Sequence, residues 1–290
     1  MAISKKVIFC FENAADLATL TASSEASADM QVENLQNNLR VDSVWRSVAE
    51  VSPGVEEYVN LTMSDSDGLE PVSMLGIIDL TLPATGMVLI QAWEDGFDVG
   101  APAFELEKNV FGSVSGFGVG GFGGGGFGGG VDQALVTALR PLALIYLGGW
   151  YTYKYWRVTF TDATATYVQA SRIYLGGYWQ PENNFAGGAA RELINRTPLI
   201  ESIGGQEYGD DRRSRVSISA VTKGMREEDS DYLYTKFLEK GVTKPFIVSF
   251  RPTDRLEQLF TTVWARFKAN SITHQSFDNY DADISVLEWL

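Results

Sequence analysis

At 290 residues the chain has room for one large or two ordinary domains, each able to bury a core. Hydrophobic residues at 45% and charged residues at 21% are globular values, while a formal charge of −14 speaks against a nucleic-acid partner and an anionic membrane surface. One cysteine, Cys10, excludes an intrachain disulfide framework, and one histidine, His274, leaves almost no nitrogen or sulfur for a zinc site.

The charge is unevenly spread. Residues 1–190 carry 9 Lys/Arg against 21 Asp/Glu, a net of −12; residues 191–290 carry 14 against 16, a net of −2. Ser4–Phe11 reads as a first strand, in which Cys10 acts as a small apolar side chain. Its apolar run is short and broken by Glu12 and Asn13, so it does not read as a signal peptide. No stretch of about 18 apolar residues suits a membrane span. Asn13–Gln31, rich in Ala, Ser and Thr, reads as loop or short turn. The stretch Asp29–Val59 follows, centred on Val44-Trp45-Arg46-Ser47. Here a buried Trp would remove a large apolar area from water and the Arg would tie loop carbonyls together.

Tyr58–Met63 alternates as a strand and ends in Asp65-Ser66-Asp67-Gly68, an ordinary turn with a partial calcium-loop pattern. Val72–Leu80 and Met87–Trp93 read as antiparallel strands, and Glu94-Asp95-Gly96 as a turn. From Gly112 to Gly130, 12 of 19 residues are glycine, interleaved with Phe117, Phe122 and Phe127. Such a composition has little preference for a fold of its own. It reads either as an insertion between strands or as a contact arm whose phenylalanines dock on a neighbour. No Gly-Lys-Ser/Thr ends it, so it is no phosphate loop. Leu135–Leu147 is broken by Arg140-Pro141 and reads as a strand after a bend. Gly148-Gly149-Trp150 then turns the chain into strands Tyr153–Phe160 and Tyr167–Leu175.

The pattern Asn-Leu, Val-Trp-Arg-Ser, Tyr-Val-Asn-Leu, present as Asn34-Leu35, Val44–Ser47 and Tyr58–Leu61, resembles the opening of discoidin-like (coagulation factor C-type) jelly rolls, above all those of tailed-phage structural proteins. The aromatic-Arg strand Tyr153–Phe160 and its successor resemble the closing strands of that module. The implied first domain is residues 1–181. Residues 182–192 read as a polar, Gly/Ala-rich linker, and residues 193–290 as a second domain. That domain has a strand at Arg212–Thr222 and a helix at Glu227–Lys240, with acids at its start, Lys236 and Lys240 near its end and Gly241 as C-cap. Pro245–Phe250, Thr261–Lys268 and Ile284–Leu290 read as strands. The layout resembles the ring-forming domain of phage distal-tail and tail-hub proteins, although in many of those that domain comes first.

The expected fold is therefore mainly β: a discoidin-like jelly-roll β-sandwich followed by a small β-sheet domain with one helix. The resemblance implies a structural component of a tail tip or baseplate, assembled in the host cytoplasm. It would form a ring of identical copies between the tail tube and the receptor-binding parts, with tube, hub and fibre proteins as partners. Phe117, Phe122, Phe127, Arg212, Arg213 and Arg215 are the candidate assembly residues, the arginines pairing with the acidic first domain of a neighbouring subunit. The alternative is a carbohydrate-binding module for host-surface glycans. Trp93, Trp150, Tyr151, Tyr178 and Trp179, all near expected turns, are its candidate contacts. No enzyme, cofactor or metal is expected. His274 reads as structural, and Glu56-Glu57, Glu94-Asp95 and Glu105 with Glu107 are carboxylate pairs of the type that chance produces among 37 acids.

Overall fold

The computed structural model describes residues 5–37, 43–50, 53–64, 69–83, 85–110, 142–201, 206–209, 214–253, 258, 261–276 and 279–289. The described chain is built mainly of strands, and it divides into two compact units. The first comprises residues 1–5, Cys10–Trp179 and Arg251–Thr262; the second comprises Lys6–Phe9, Gln180–Phe250 and Val263–Leu290.

The first unit is a sandwich of two sheets. One sheet has the order β2 (Thr19–Ala22), β4 (Val55–Thr62), β9 (Tyr155–Asp162), β6 (Met87–Trp93), β7 (Phe104–Asn109); the other has β11 (Arg172–Gly176), β5 (Val72–Ile78), β8 (Ala143–Tyr151). Their pairings are antiparallel. Alternation gives each strand one apolar face. Val59, Leu61, Val158 and Phe160 from one sheet share a single core with Leu75, Ile77, Ile145 and Ile173 from the other. This is the expected jelly-roll class. A short pair, β3 (Trp45–Arg46) with β10 (Gln169–Ala170), closes one end.

Trp45 sits at that end with no exposed surface, its ring centroid 5.9 Å from that of Phe160. Its Nε1–H donates to the Ser24 carbonyl at 3.1 Å. Ser24 Oγ in turn donates to the buried Glu57 carboxylate at 2.7 Å, and Ser23 Oγ donates to the other oxygen. Among the described residues the Arg46 side chain ties no loop carbonyls, the role expected of it. Its guanidinium lies 3.8 Å from the centroid of Tyr167, an energetically favourable seat for a planar cation over a ring face.

Asp162, the last residue of β9, is buried and accepts four hydrogen bonds: from Thr164 N (2.7 Å), Thr164 Oγ1 (2.7 Å), Ala165 N (2.8 Å) and Thr85 Oγ1 (2.8 Å). Burial works to raise its pKa, but the hydrogen bonds from Thr164, Thr85 and Ala165 together outweigh it and hold the carboxyl below its ordinary range. Asp162→Ala is expected to destabilise the first unit by about 2 kcal/mol at neutral pH, because four hydrogen bonds to a charged acceptor are lost. A depressed folded-state pKa stabilises above the unfolded value of about 3.9 and ceases to do so as pH falls through the folded one. The gap between wild type and variant in urea unfolding should therefore close on acidification. A gap that stays constant with pH contradicts the assignment.

Several elements differ from the sequence expectation. Asn13–Gln31 is not all loop, since β2 lies within it and pairs with Val59–Thr62. Gly148-Gly149-Trp150 does not turn the chain. It lies inside β8, where Gly148 (φ 88°) and a register irregularity opposite Val72–Met74 absorb the extra residues. The linker range 182–192 carries β12 (Phe185–Ile194), because β15 (Arg215–Met225) offers it a full antiparallel partner. The N-terminal strand, β1 (Ile8–Cys10), belongs to the six-stranded sheet described next. Burial pushes the Cys10 thiol up to about 12, against an opposing hydrogen bond from Tyr174, so the sulfur stays protonated and unreactive.

The second unit holds that sheet, in the order β1, β16 (Phe246–Ser249), β17 (Thr262–Ser276), β18 (Asn279–Glu288), β15, β12. A small hairpin, β13 (Leu199–Glu201) with β14 (Glu207–Gly209), follows β12. The one α-helix described, α1 (Glu227–Lys240), has the expected limits, with Glu227, Glu228 and Asp229 in its first turn and Gly241 (φ 54°) at its end. Leu233 is buried, and the Phe237 ring meets Phe267 edge-on at 4.6 Å. Tyr234 and Leu238 are exposed.

Candidate functional site

The sequence-predicted aromatic residues have different fates. Trp93 ends β6 with only 3% of its surface exposed, its ring covered by Phe97 (6.0 Å) and by the Arg157 guanidinium (5.3 Å). Tyr151 is half-buried between Phe104 (4.4 Å) and Tyr153 (5.9 Å) and packs against the sandwich core. Trp179 is half-buried, 6.4 Å from Phe11. Trp150 and Tyr178 come together. Their rings stack with centroids 5.3 Å apart and planes at 25°, and Trp150 remains 46% exposed.

Local backbone makes that stack possible. A Cβ on Gly177 would stand 2.7 Å from Trp150 Cζ3, so only glycine lets the indole lie against the backbone there. Tyr146, on β8, meets Tyr178 edge-on at 6.1 Å and shares a hydrogen bond with it. Burial, then Tyr146, raise the Tyr178 hydroxyl above its ordinary value, so that phenol stays neutral and able to donate.

Tyr146 also lines a cleft of about 200 Å³ with Met74, Lys108, Asn109, Leu144 and Gln258. Gln258 Nε2 donates to the Leu144 carbonyl at 3.1 Å. Asn109 Oδ1 is buried and has no donor among the described residues. An acceptor left so costs about 1–3 kcal/mol unless something outside the described residues supplies a donor. The arrangement is an exposed indole, two phenols and an amide oxygen with no donor among the described residues, beside a small cleft. It can stack one face of a ring and accept from its hydroxyls. Tyr146, Asn109 and Gln258 escaped the sequence reading because nothing local marks them; they come from two different sheets and from a residue outside the strands, and only the tertiary fold brings them together.

The remaining candidates that the structure describes lie at separate places in the fold. Glu56 and Glu57 point to opposite faces of β4, as adjacent strand residues must, with Glu56 exposed and Glu57 buried. Glu94 and Asp95 are exposed in the β6–β7 loop. Glu105 and Glu107 share a face of β7, and Glu105 accepts from Gln91 at 2.8 Å. His274 stacks on Tyr280 at 4.7 Å between β17 and β18. Among the described residues no group of three or more His, Cys, Asp or Glu side chains could hold a metal ion, and no helix is long and apolar enough to cross a membrane. Arg215 opens β15 half-buried. Burial and then the neighbouring Arg196 and Arg266 lower its pKa, with Glu288 opposing. Phe117, Phe122, Phe127, Arg212 and Arg213 lie outside the described residues, as do Gly112–Gly130 and Asp65–Gly68.

No known protein family matches the sequence, and no curated protein matches it. Solved structures do resemble it. A chitosan-binding module of a chitosanase/glucanase from Paenibacillus sp. IK-5 is 17% identical, covering 57% of this chain and 99% of that one at a TM-score of 0.36. The family 32 carbohydrate-binding module of Clostridium perfringens NanJ, solved with galactose, is 11% identical, covering 59% and 99% at a TM-score of 0.37. A chain of the virion of a native gene transfer agent particle is 22% identical, covering 37% and 93% at a TM-score of 0.28.

Proposed function

We propose that the first unit is a carbohydrate-binding module that holds a glycan without transforming it. The carrying observation is the stack of Trp150 on Tyr178, with the indole 46% exposed, next to the cleft where Asn109 Oδ1 has no donor among the described residues. A pyranose presents one apolar C–H face and a rim of hydroxyls. Trp150 supports the face, while Tyr146, Asn109 and Gln258 meet the rim. A host-surface glycan is then the partner. The test is an array of neutral glycans probed with the intact chain. Saturable binding to a restricted set is expected, and an empty array sinks the proposal.

A second reading concerns the whole chain: a ring-forming structural protein of a phage tail tip or baseplate, contacting tube, hub and fibre proteins in the virion. The observation favouring it is β12, a ten-residue strand at the edge of the second unit's sheet, with Leu193 68% exposed. Such an edge accepts a strand from another copy, and repetition closes a ring. Light scattering on the intact chain should then give a discrete oligomer or concentration-dependent growth toward one. A monomer at every concentration removes the support that β12 lends. The two readings are compatible, since a ring of glycan-binding modules gains avidity from repetition.

A further inference from the structure

Arg157 stands in the middle of β9, on the face of the five-stranded sheet turned away from the core. The register aligns it with Asn60 on β4 and Gln91 on β6. Its Nε–H donates to Asn60 Oδ1 at 2.8 Å, and its guanidinium carbon lies 4.8 Å from the ring centroid of Tyr58, 5.3 Å from that of Trp93 and 5.5 Å from that of Phe97. These neighbours fix a planar cation at 15% side-chain exposure. Both terminal nitrogens donate to one carboxylate, Nη1 to Asp98 Oδ1 at 2.8 Å and Nη2 to Oδ2 at 2.9 Å.

That carboxylate belongs to the β6–β7 loop rather than to the sheet. Asp98 is 68% exposed and left-handed (φ 60°), between Gly96 (φ 152°) and Gly100 (φ 74°). One partner of the fork is therefore held by strands and rings, and the other by a solvated loop. An ion pair with so exposed a carboxylate contributes little and exchanges readily with solvent or solute. Trp93 adds a buried indole N–H with no acceptor among the described residues. Phe97 and Tyr155, half-buried and edge-to-face at 5.3 Å, supply apolar ring surface beside it.

We propose that Arg157 is a receptor for the carboxylate of an acidic saccharide, a uronic or a sialic acid, and that Asp98 stands in for that carboxylate in the free protein. The planar fork that grips Asp98 grips any carboxylate of the same geometry. The flanking rings favour a sugar carboxylate over a peptide one, because they offer faces for C–H groups. Displacing Asp98 requires no strand to move. This site lies on the sheet opposite β8 and does not depend on the Trp150 stack.

The experiment is calorimetric titration of the intact chain with digalacturonate, diglucuronate, sialyllactose and lactose. The uronates and sialyllactose distinguish the two sources of carboxylate, and lactose is the neutral control. Asp98→Asn removes the competing charge and keeps a residue that tolerates the left-handed backbone. It should tighten binding of at least one acidic saccharide by about ten-fold and leave lactose unchanged. Arg157→Lys, which keeps the charge and loses the fork, should weaken the same binding by at least ten-fold; Trp150→Ala should not affect it. If D98N binds no acidic saccharide, or binds one no more tightly than wild type, the proposal is overturned. Equal tightening of lactose overturns it as well. Because W150A tests the other site in the same titrations, failure of one reading is separable from failure of the other.

Discussion

Trp45→Ala is expected to destabilise the first unit by about 3–5 kcal/mol, the range for truncating a fully buried large aromatic. Trp45 has no exposed surface and packs against Phe160 in the core shared by both sheets. Its removal leaves a cavity that the flanking strands cannot fill, since β3 is held to β10 and β9 is paired on both sides. It also leaves the Ser24 carbonyl without its donor, beside the buried Glu57 carboxylate that Ser24 helps to satisfy. Trp45→Phe separates the two terms. It keeps much of the ring and loses the donor, so its cost should be nearer about 1–2 kcal/mol. Urea unfolding followed on the first unit's transition measures both. A cost below about 1 kcal/mol for W45A would mean that this end of the sandwich is not closed by its tryptophan.

Trp150→Ala is expected to leave folding nearly unchanged and to weaken glycan binding strongly. Nearly half of its surface is exposed, so the side chain adds little to the core. If it is the platform, it is an interaction hot spot, and its truncation costs about 2 kcal/mol of binding, roughly thirty-fold in Kd. Trp150→Phe keeps a smaller aromatic face and should lose less. Gly177→Ala tests the same geometry from below, because its new Cβ would push on Cζ3 of the indole. Matching losses in W150A and G177A, with unfolding midpoints near wild type, are the expected pattern.

The sequence carried the strand content well. Alternation in Tyr58–Met63 is visible because one face of that strand is more buried than the other, whereas Met87–Trp93 shows as an apolar run with β-branched residues. The helix was legible from its charged ends and Gly241. β12 was not, because Gly187-Gly188 and the polar residues before it carry loop composition. Pairing with β15, a tertiary effect, makes it a strand. Trp150 and Tyr178 were legible as candidate contacts by type and by nearness to glycines. Their stacking was not, nor the involvement of Tyr146, which lies four residues before Trp150 on a strand expected to end sooner. Arg157 and Asp98 are 59 residues apart, and only the β6–β9 register and the fold-back of one loop join them. Local pattern marks which residues face a core. It does not say which exposed side chains from distant strands converge.

The most direct test of the central claim is a titration of the intact chain, labelled with 15N in its tryptophan side chains, against a neutral glycan selected on the array. The indole N–H signals are assigned by single Trp→Phe variants. The Trp150 signal should move progressively and saturate, while those of buried Trp45 and Trp156 stay in place. If the glycan binds and Trp150 does not move, or if the shifts fall on Trp264 or Trp289 of the second unit, the platform is elsewhere and the account of this site is wrong.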